Sequence, residues 1–293
     1  MIGIEERDTQ SGIHVFRVHY SANPLCRTDE WKRAASIGVP GGLTGRDWRR
    51  EREIDWTVAS GLPVYADSFS RELHVAASAL AAYPDRPIYR GWDFGLSPSC
   101  VWVQVDPMGR VNVLGELVTW DGRSEMKQMG LERFIPGVLL RSNEDWPNHD
   151  YKDKADAAGW QRAQTDERTC VQIMHGFGIH PTAGLVAFEA RRRAVVGILD
   201  KMVGGRPALA ISPTCQMLIE GFQGAYRYEE IGETGQYRKV VEKNAWSHPM
   251  NALEYVLGSL YAPAVEERSG EPEYGSSEWL DQRIAEGRIR TYA

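Results

Sequence analysis

The sequence has 293 residues, of which 42% are hydrophobic and 25% charged, an ordinary globular composition that suits one large domain or a domain with an appendage. The net charge of −6 argues against a passive, tight nucleic-acid binder but not against an enzyme that touches DNA briefly. No run approaches the roughly 18 apolar residues of a membrane span, and the start, MIGIEERDTQ, lacks the basic head and apolar stretch of a secretory signal. Cys26, Cys100, Cys170 and Cys215 are scattered without CxxC spacing, which implies reduced thiols in a cytosolic chain and argues against a zinc site.

In chain order, residues 12–20 (GIHVFRVHY) have the β-branched and aromatic content of a strand, broken by Asn23-Pro24. Helices are expected at 29–35 and 45–60, the second capped by Thr44 with Asp47 as a partial capping box. Segments 88–93, 100–105 and 110–119 read as strands with short breaks, the pattern of an antiparallel meander. There follow a helix at 124–141, a short strand at 151–156, a helix at 166–175 and a strand at 184–188. A helix at 189–203 should stop at Gly204-Gly205. A strand at 208–211, a helix at 214–222, a hairpin of 226–231 with 236–241 around GETG, and a closing helix at 251–261 complete the series. Residues 263–293 read as a mobile acidic tail with a short helix at 277–286. A meander followed by helix–strand repeats and a closing helix is the order of the ribonuclease H-like α/β fold, a mixed sheet flanked by helices.

Two acids stand out. Asp93 ends an apolar strand before Phe94-Gly95, and Asp156 ends the fourth strand before Ala157, Ala158 and Gly159. Small residues let a phosphate or metal come close. In this topology the first and fourth strands are neighbours, so the two carboxyl groups should lie side by side. Carboxylates about 4–6 Å apart repel each other unless a divalent cation sits between them. That is the arrangement a two-metal phosphodiesterase needs. On the closing helix, His248, Asn251 and Glu254 fall at i, i+3 and i+6, so Asn251 or Glu254 could complete the site. Glu116 lies in the third strand and reads better as solvent-facing than as part of the cleft. Arg191, Arg192, Arg193 and Lys201 form a basic helix stretch, and Arg227, Arg238, Lys239 and Lys243 a basic hairpin that could meet DNA phosphates. His175 and His180 lack metal-ligand spacing, and no GxSxG or HExxH occurs.

Taken together, these segments resemble the nuclease domain of phage terminase large subunits. GWDFGLSPSCVWVQVDPMGRVNVLGEL is similar to its first three strands, and KADAAGWQRAQTDERTCVQI to its second acidic segment. ISPTCQMLIEGFQGAYRY is similar to the following helix and hairpin entry, and HPMNALEYVLG to the closing helix, where the family usually has Asp-Ala and a Tyr four residues on. The resemblance covers most of 12–262. It implies residues 1–86 as a segment connecting to an ATPase, 87–262 as the nuclease and 263–293 as a tail. It implies cleavage of concatemeric double-stranded viral DNA with two Mg²⁺ or Mn²⁺ ions, in the cytoplasm of an infected bacterium. The portal protein and small terminase subunit are its implied partners. Asp93 and Asp156 match the first two catalytic, metal-holding acids. The third position departs from the pattern, with Asn251 where an Asp is usual, and Glu254 is the candidate substitute. The chain contains no GxxxxGK[ST], so the family's ATPase motor is not in it. Two other readings compete. A catalytically weakened module would dock DNA or the portal. A phosphotransferase of the actin and sugar-kinase type would need a second Asp-Gly-Gly or Asp-x-Gly-Thr loop, and none is present.

Overall fold

The structure, a computed structural model, describes residues 2–8, 14–39, 42–44, 48–55, 61–65, 67–119, 127–161, 168–231 and 236–262. The chain divides into a compact unit ending at Tyr261 and a C-terminal stretch from Ala262 that falls almost wholly outside the described residues. The expected helix at 277–286, the GETG turn and parts of the helices expected at 45–60, 124–141 and 166–175 also lie outside them. Among the described residues no helix is long and apolar enough to cross a membrane.

Strands β1 (Ile4–Asp8) and β2 (His14–Val18) form an antiparallel hairpin. Helix α1 (Asp29–Ala35) begins where the Thr28 hydroxyl accepts the Trp31 N–H, an N-cap of the usual kind. Glu53 gathers this region: its carboxylate accepts from the Tyr20 hydroxyl at 2.9 Å and the Trp48 indole at 3.0 Å, and meets His19 at 3.1 Å. These donors hold the Glu53 carboxyl below its usual pKa against the effect of burial.

Short helix α2 (Arg71–His74) leads to the central sheet. Its strands are β3 (Ile88–Asp93), β4 (Ser99–Val105), β5 (Val111–Val118), then β6 (Tyr151–Ala155) after helix α3 (Leu131–Asp145). Helix α4 (Cys170–Gly176), opened by a Thr169–Gln172 capping box, leads to β7 (Thr182–Ala183). Helix α5 (Phe188–Leu199) follows, then a small hairpin of β8 (Met202–Val203) and β9 (Arg206–Pro207), and β10 (Leu209–Ile211). Helix α6 (Gln216–Glu220), a hairpin of β11 (Tyr228–Glu230) and β12 (Tyr237–Val241), and helix α7 (Ser247–Tyr261) end the described chain.

The six-stranded sheet has the order β10-β5-β4-β3-β6-β7. β3, β4 and β5 are the expected antiparallel meander, while β6 runs parallel to β3, β7 to β6 and β10 to β5. This is the ribonuclease H-like mixed sheet anticipated from the element order. Helices cover both faces. Val101, Val103, Val113 and Leu209 pack with residues of α5, α6 and α7, whereas Trp92, Trp102 and Leu114 pack with those of α3 and α4. The period-2 alternation of strands sorts neighbours such as Val101 and Trp102 onto opposite faces. Val64 and Tyr65 join the first of these cores, upstream of the boundary expected at residue 86.

Several elements differ from expectation: α3 runs Leu131–Asp145 rather than 124–141, and among the described residues of 45–60 only Trp48–Arg52 is helical, as a π-helical turn. The helix expected at 189–203 ends at Leu199, because Gly204 and Gly205, with φ of 57° and 75°, turn the β8–β9 hairpin instead. The strand expected at 184–188 is reduced to Thr182–Ala183. The closing helix starts four residues early, at Ser247, since Pro249 is tolerated in a first turn.

A buried ion pair joins β3 to β6. The Arg90 guanidinium donates to both Asp153 oxygens, at 2.8 and 2.9 Å, and the Trp92 indole donates to the same carboxylate at 2.6 Å. Asp153→Ala leaves the guanidinium desolvated and unpaired, and a loss of about 3–5 kcal/mol in urea unfolding is expected. The double change Arg90→Met with Asp153→Leu is expected to recover most of that loss.

Glu116 is neither solvent-facing nor in a cleft. It is buried, and its carboxylate accepts the N–H groups of Met217 and Leu218 at 2.7 and 2.9 Å, capping α6. Burial pushes its pKa from 4.5 up to about 7 although both N–H groups act the other way. The folded state therefore holds this proton more tightly than the unfolded chain. The resulting stabilisation is complete below about pH 4.5 and is lost as pH rises through about 7. Chemical denaturation between these values should show that decline in the native protein and a flatter profile in Glu116→Gln.

Candidate active site at the carboxyl ends of the sheet

Strand parity builds the site. In β3, Arg90 and Trp92 face α3, so Gly91 and Asp93 face α7. In β6, Asp153 and Ala155 share the first of these faces, so Asp156 follows onto the second. The parallel register pairs Trp92 with Ala155, and the Asp156 N–H donates to the Trp92 carbonyl at 3.1 Å. The two aspartates therefore end adjacent strands on the same face, and the charge of Asp156 raises the cost of ionising Asp93.

Helix α7 lies directly over them. It comes this close because β3 offers Gly91 at the crossing: a Cβ there would collide with the Ala252 carbonyl oxygen. Gly184 does the same for the Tyr255 side chain, which would stand 2.7 Å from an added Cβ. Positions 248, 251 and 255 share one helix face. His248 Nδ1 meets Asp93 Oδ2 at 2.8 Å, and the Asn251 and Tyr255 side chains lie beside the two carboxylates. Asp156 Oδ1 also accepts the Ala158 N–H at 3.0 Å, opening the short 3₁₀ turn Ala157–Trp160.

Asp93 is 5% exposed. Burial raises its pKa above the usual carboxylate range, as does the charge of Asp156, while His248 and Asn251 act in the other direction. Burial and then the negative charges of Asp93 and Asp156 push the Tyr255 phenol up strongly. Among the buried carboxylates, Asp153 has Arg90, Asp106 has Arg110 and Glu254 has Arg191, while Glu116 is held by two backbone N–H groups. Among the described residues Asp93 has only the His248 imidazole.

Two carboxylates that pair with no Lys or Arg among the described residues form a set of oxygen donors that fits a hard divalent cation. Among the described residues no group of three or more His, Cys, Asp or Glu side chains is placed to hold an ion, so this pair is the whole of the anionic donor set.

The other candidate residues lie elsewhere. Glu254 is fully buried behind the site: its oxygens accept from the Tyr65 hydroxyl at 2.7 Å and Arg191 Nε at 3.1 Å. Both are committed, so Glu254 is not offered to an ion beside Asp93, contrary to the expectation that it might replace the third acid. Arg191, expected on a DNA-facing helix surface, is buried by the same pair and also binds the carbonyls of Leu185 and Val186. On the hairpin, Arg227 is held by Glu242 at 2.6 Å and Arg238 stands 3.5 Å from Glu229, while Lys239 and Lys243 are exposed. His175 and His180 stack at 4.8 Å on the surface, away from these contacts. The structure thus brings together Asp93, Asp156 and Asn251 and adds His248 and Tyr255, whose i, i+7 spacing in HPMNALEYVLG was the signal for a shared face.

No family model matches the sequence, and no curated protein matches it. Solved structures do. The large terminase from the thermophilic bacteriophage D6E aligns over 83% of this chain and 55% of its own, with 18% identity and a TM-score of 0.52. Its complex with ADP aligns over 83% and 54%, also with 18% identity, at 0.53. The large terminase nuclease from thermophilic phage G20c with bound cobalt aligns more loosely, over 67% of this chain and 96% of its own, with 13% identity and a TM-score of 0.44. At 18% identity the D6E likeness establishes a shared fold, and this chain spans about half the length of the D6E chain.

Gly91→Ala should separate α7 from β3. A loss of about 1–3 kcal/mol in urea unfolding is expected from overpacking.

Proposed function

We propose that this chain is a divalent-metal-dependent nuclease, the DNA-cutting portion of a phage large terminase, and that Asp93 and Asp156 hold the metal. The observation that carries the reading is a buried carboxylate at a strand end that has a second aspartate beside it and, among the described residues, no Lys or Arg paired with either. The fold shared with the D6E large terminase supports it, as does the agreement of both aspartates with the terminase nuclease pattern. When bound, such an ion supplies Lewis-acid stabilisation of a phosphodiester and lowers the pKa of a water. The chain's own residues orient the acids: His248 holds Asp93 and the Ala158 N–H holds Asp156, with Asn251 and Tyr255 beside them. Mg²⁺ or Mn²⁺ suits these oxygen donors.

The substrate of this reading is concatemeric double-stranded DNA, cut with little sequence preference because no element resembles a base-reading helix. Lys239 and Lys243 are the hairpin cations best placed to meet phosphates, since Arg227 is paired with Glu242. The portal protein, the small terminase subunit and the host cytoplasm belong to the same proposal.

A second reading, a weakened module that docks DNA or the portal, is favoured by one observation: an amide occupies the third position of the site. Plasmid cutting in Mn²⁺ separates the two. The nuclease reading expects cutting by the native chain, reduced more than about 100-fold in Asp93→Ala and in Asp156→Ala. DNA retention without any cutting would select the docking module.

A further inference from the structure

A buried hydroxyl stands beside the acids without a partner. Ser99 opens β4 and is fully buried, and among the described residues its Oγ makes no hydrogen bond. Ser142, Ser212 and Ser247 are buried as well, yet each is bonded. The Ser142 hydroxyl accepts the Trp102 indole N–H at 2.9 Å, that of Ser212 accepts the Leu80 N–H at 3.4 Å, and that of Ser247 donates to the Asn244 carbonyl at 2.7 Å. Holding a hydroxyl out of water without a partner is unfavourable, and native folds keep such groups rare.

Strand register aims this one at Asp93. Ser99 stands directly opposite Asp93 in the antiparallel β3–β4 pair. Residues so opposed put their side chains on one face, with Cβ atoms about 4.5–5.5 Å apart. The face is that of α7: Val101 and Val103, which share the parity of Ser99, pack with α7 residues, and Asp93 meets His248 of α7. A serine hydroxyl passes between staggered rotamers without backbone displacement, which brings the Asp93 carboxylate within its reach. A carboxylate offers roughly four acceptor sites, and His248 takes one of them.

We propose that Ser99 is a positioning residue for Asp93, its hydroxyl turning to donate to the carboxylate when a divalent cation is bound there. The inference rests on the metal-binding reading above. A donor on a ligating carboxylate fixes the direction of the oxygen that faces the ion, and loss of such a donor typically weakens metal affinity about 10–100-fold. Thr119 supplies the comparison. Its Oγ1 is also buried and unpartnered among the described residues, but it follows β5, which β4 separates from β3, and it is not opposite Asp93.

The test is Mn²⁺ titration of the intact chain by calorimetry, with the melting temperature measured in EDTA. Ser99→Ala should bind Mn²⁺ at least about 10-fold more weakly than the native chain, yet melt no lower in EDTA, because it gives up no hydrogen bond. Thr119→Val should match the native chain in Mn²⁺ affinity. Unchanged affinity in Ser99→Ala would overturn the inference and leave the metal site standing. So would a lower melting temperature of Ser99→Ala in EDTA, which would make the hydroxyl a structural group. An equal loss of affinity in Thr119→Val would overturn it too, since the effect would then be common to any buried hydroxyl. Absence of Mn²⁺ binding in the native chain, with Asp93→Ala indistinguishable from it, would remove the metal-binding reading itself and this inference with it.

Discussion

The parallel pairing of β3 with β6 is the constraint on which the site depends, and the Arg90–Asp153 ion pair secures it. The two residues lie opposite each other in the register, 63 positions apart in sequence. A desolvated ion pair tolerates little displacement, because its attraction offsets the loss of hydration only when both oxygens are engaged. Here the fork is bidentate and the Trp92 indole takes a further lone pair. A slip of one residue would break all three bonds. It would also turn Asp156 to the opposite face from Asp93, since strand side chains alternate. The ion pair on the α3 face thus determines which acids meet on the α7 face.

Helix α7 is the second support, and it is held from below by another buried pair. Glu254 receives Arg191 and Tyr65, and Arg191 also satisfies two carbonyls of the chain leading into α5. This anchors the helix one turn beyond Asn251. Gly91 then allows the helix backbone to rest on β3. Buried charge is distributed unevenly as a result. Asp153 and Glu254 carry guanidinium partners and Glu116 two backbone N–H groups, whereas the charged partner of Asp93 is an imidazole. A buried carboxylate with a second aspartate beside it is costly for folding, which is the physical reason to regard the pair as a candidate site.

The comparison with the D6E large terminase fits this division. An 18% identical chain can share a sheet and its helices because apolar alternation and glycine crossings tolerate wide substitution. The chemistry tolerates less. An amide and a carboxylate have nearly the same shape yet differ by a full negative charge, so position 251 bears on the site in a way that likeness of fold does not show.

Local pattern was sufficient for the meander, because short Gly- and Pro-bearing breaks leave room only for tight antiparallel turns between strands 88–93, 100–105 and 110–119. It was also sufficient for Asp93 and Asp156, each a polar residue ending an apolar strand before small residues. Local pattern misread Gly204-Gly205 as a helix stop, because a glycine pair serves a helix end and a hairpin turn equally well. It could not separate Asn251 from Glu254 either. The two sit three residues apart on one helix, and which of them faces the acids depends on Arg191 and Tyr65, 63 and 189 positions away from Glu254 in sequence. The amino-acid sequence by itself determined the antiparallel meander and singled out the two strand-end aspartates as candidates. Only the tertiary structure decided which side chains of α7 face those acids, because burial and charge pairing are settled by contacts between distant segments.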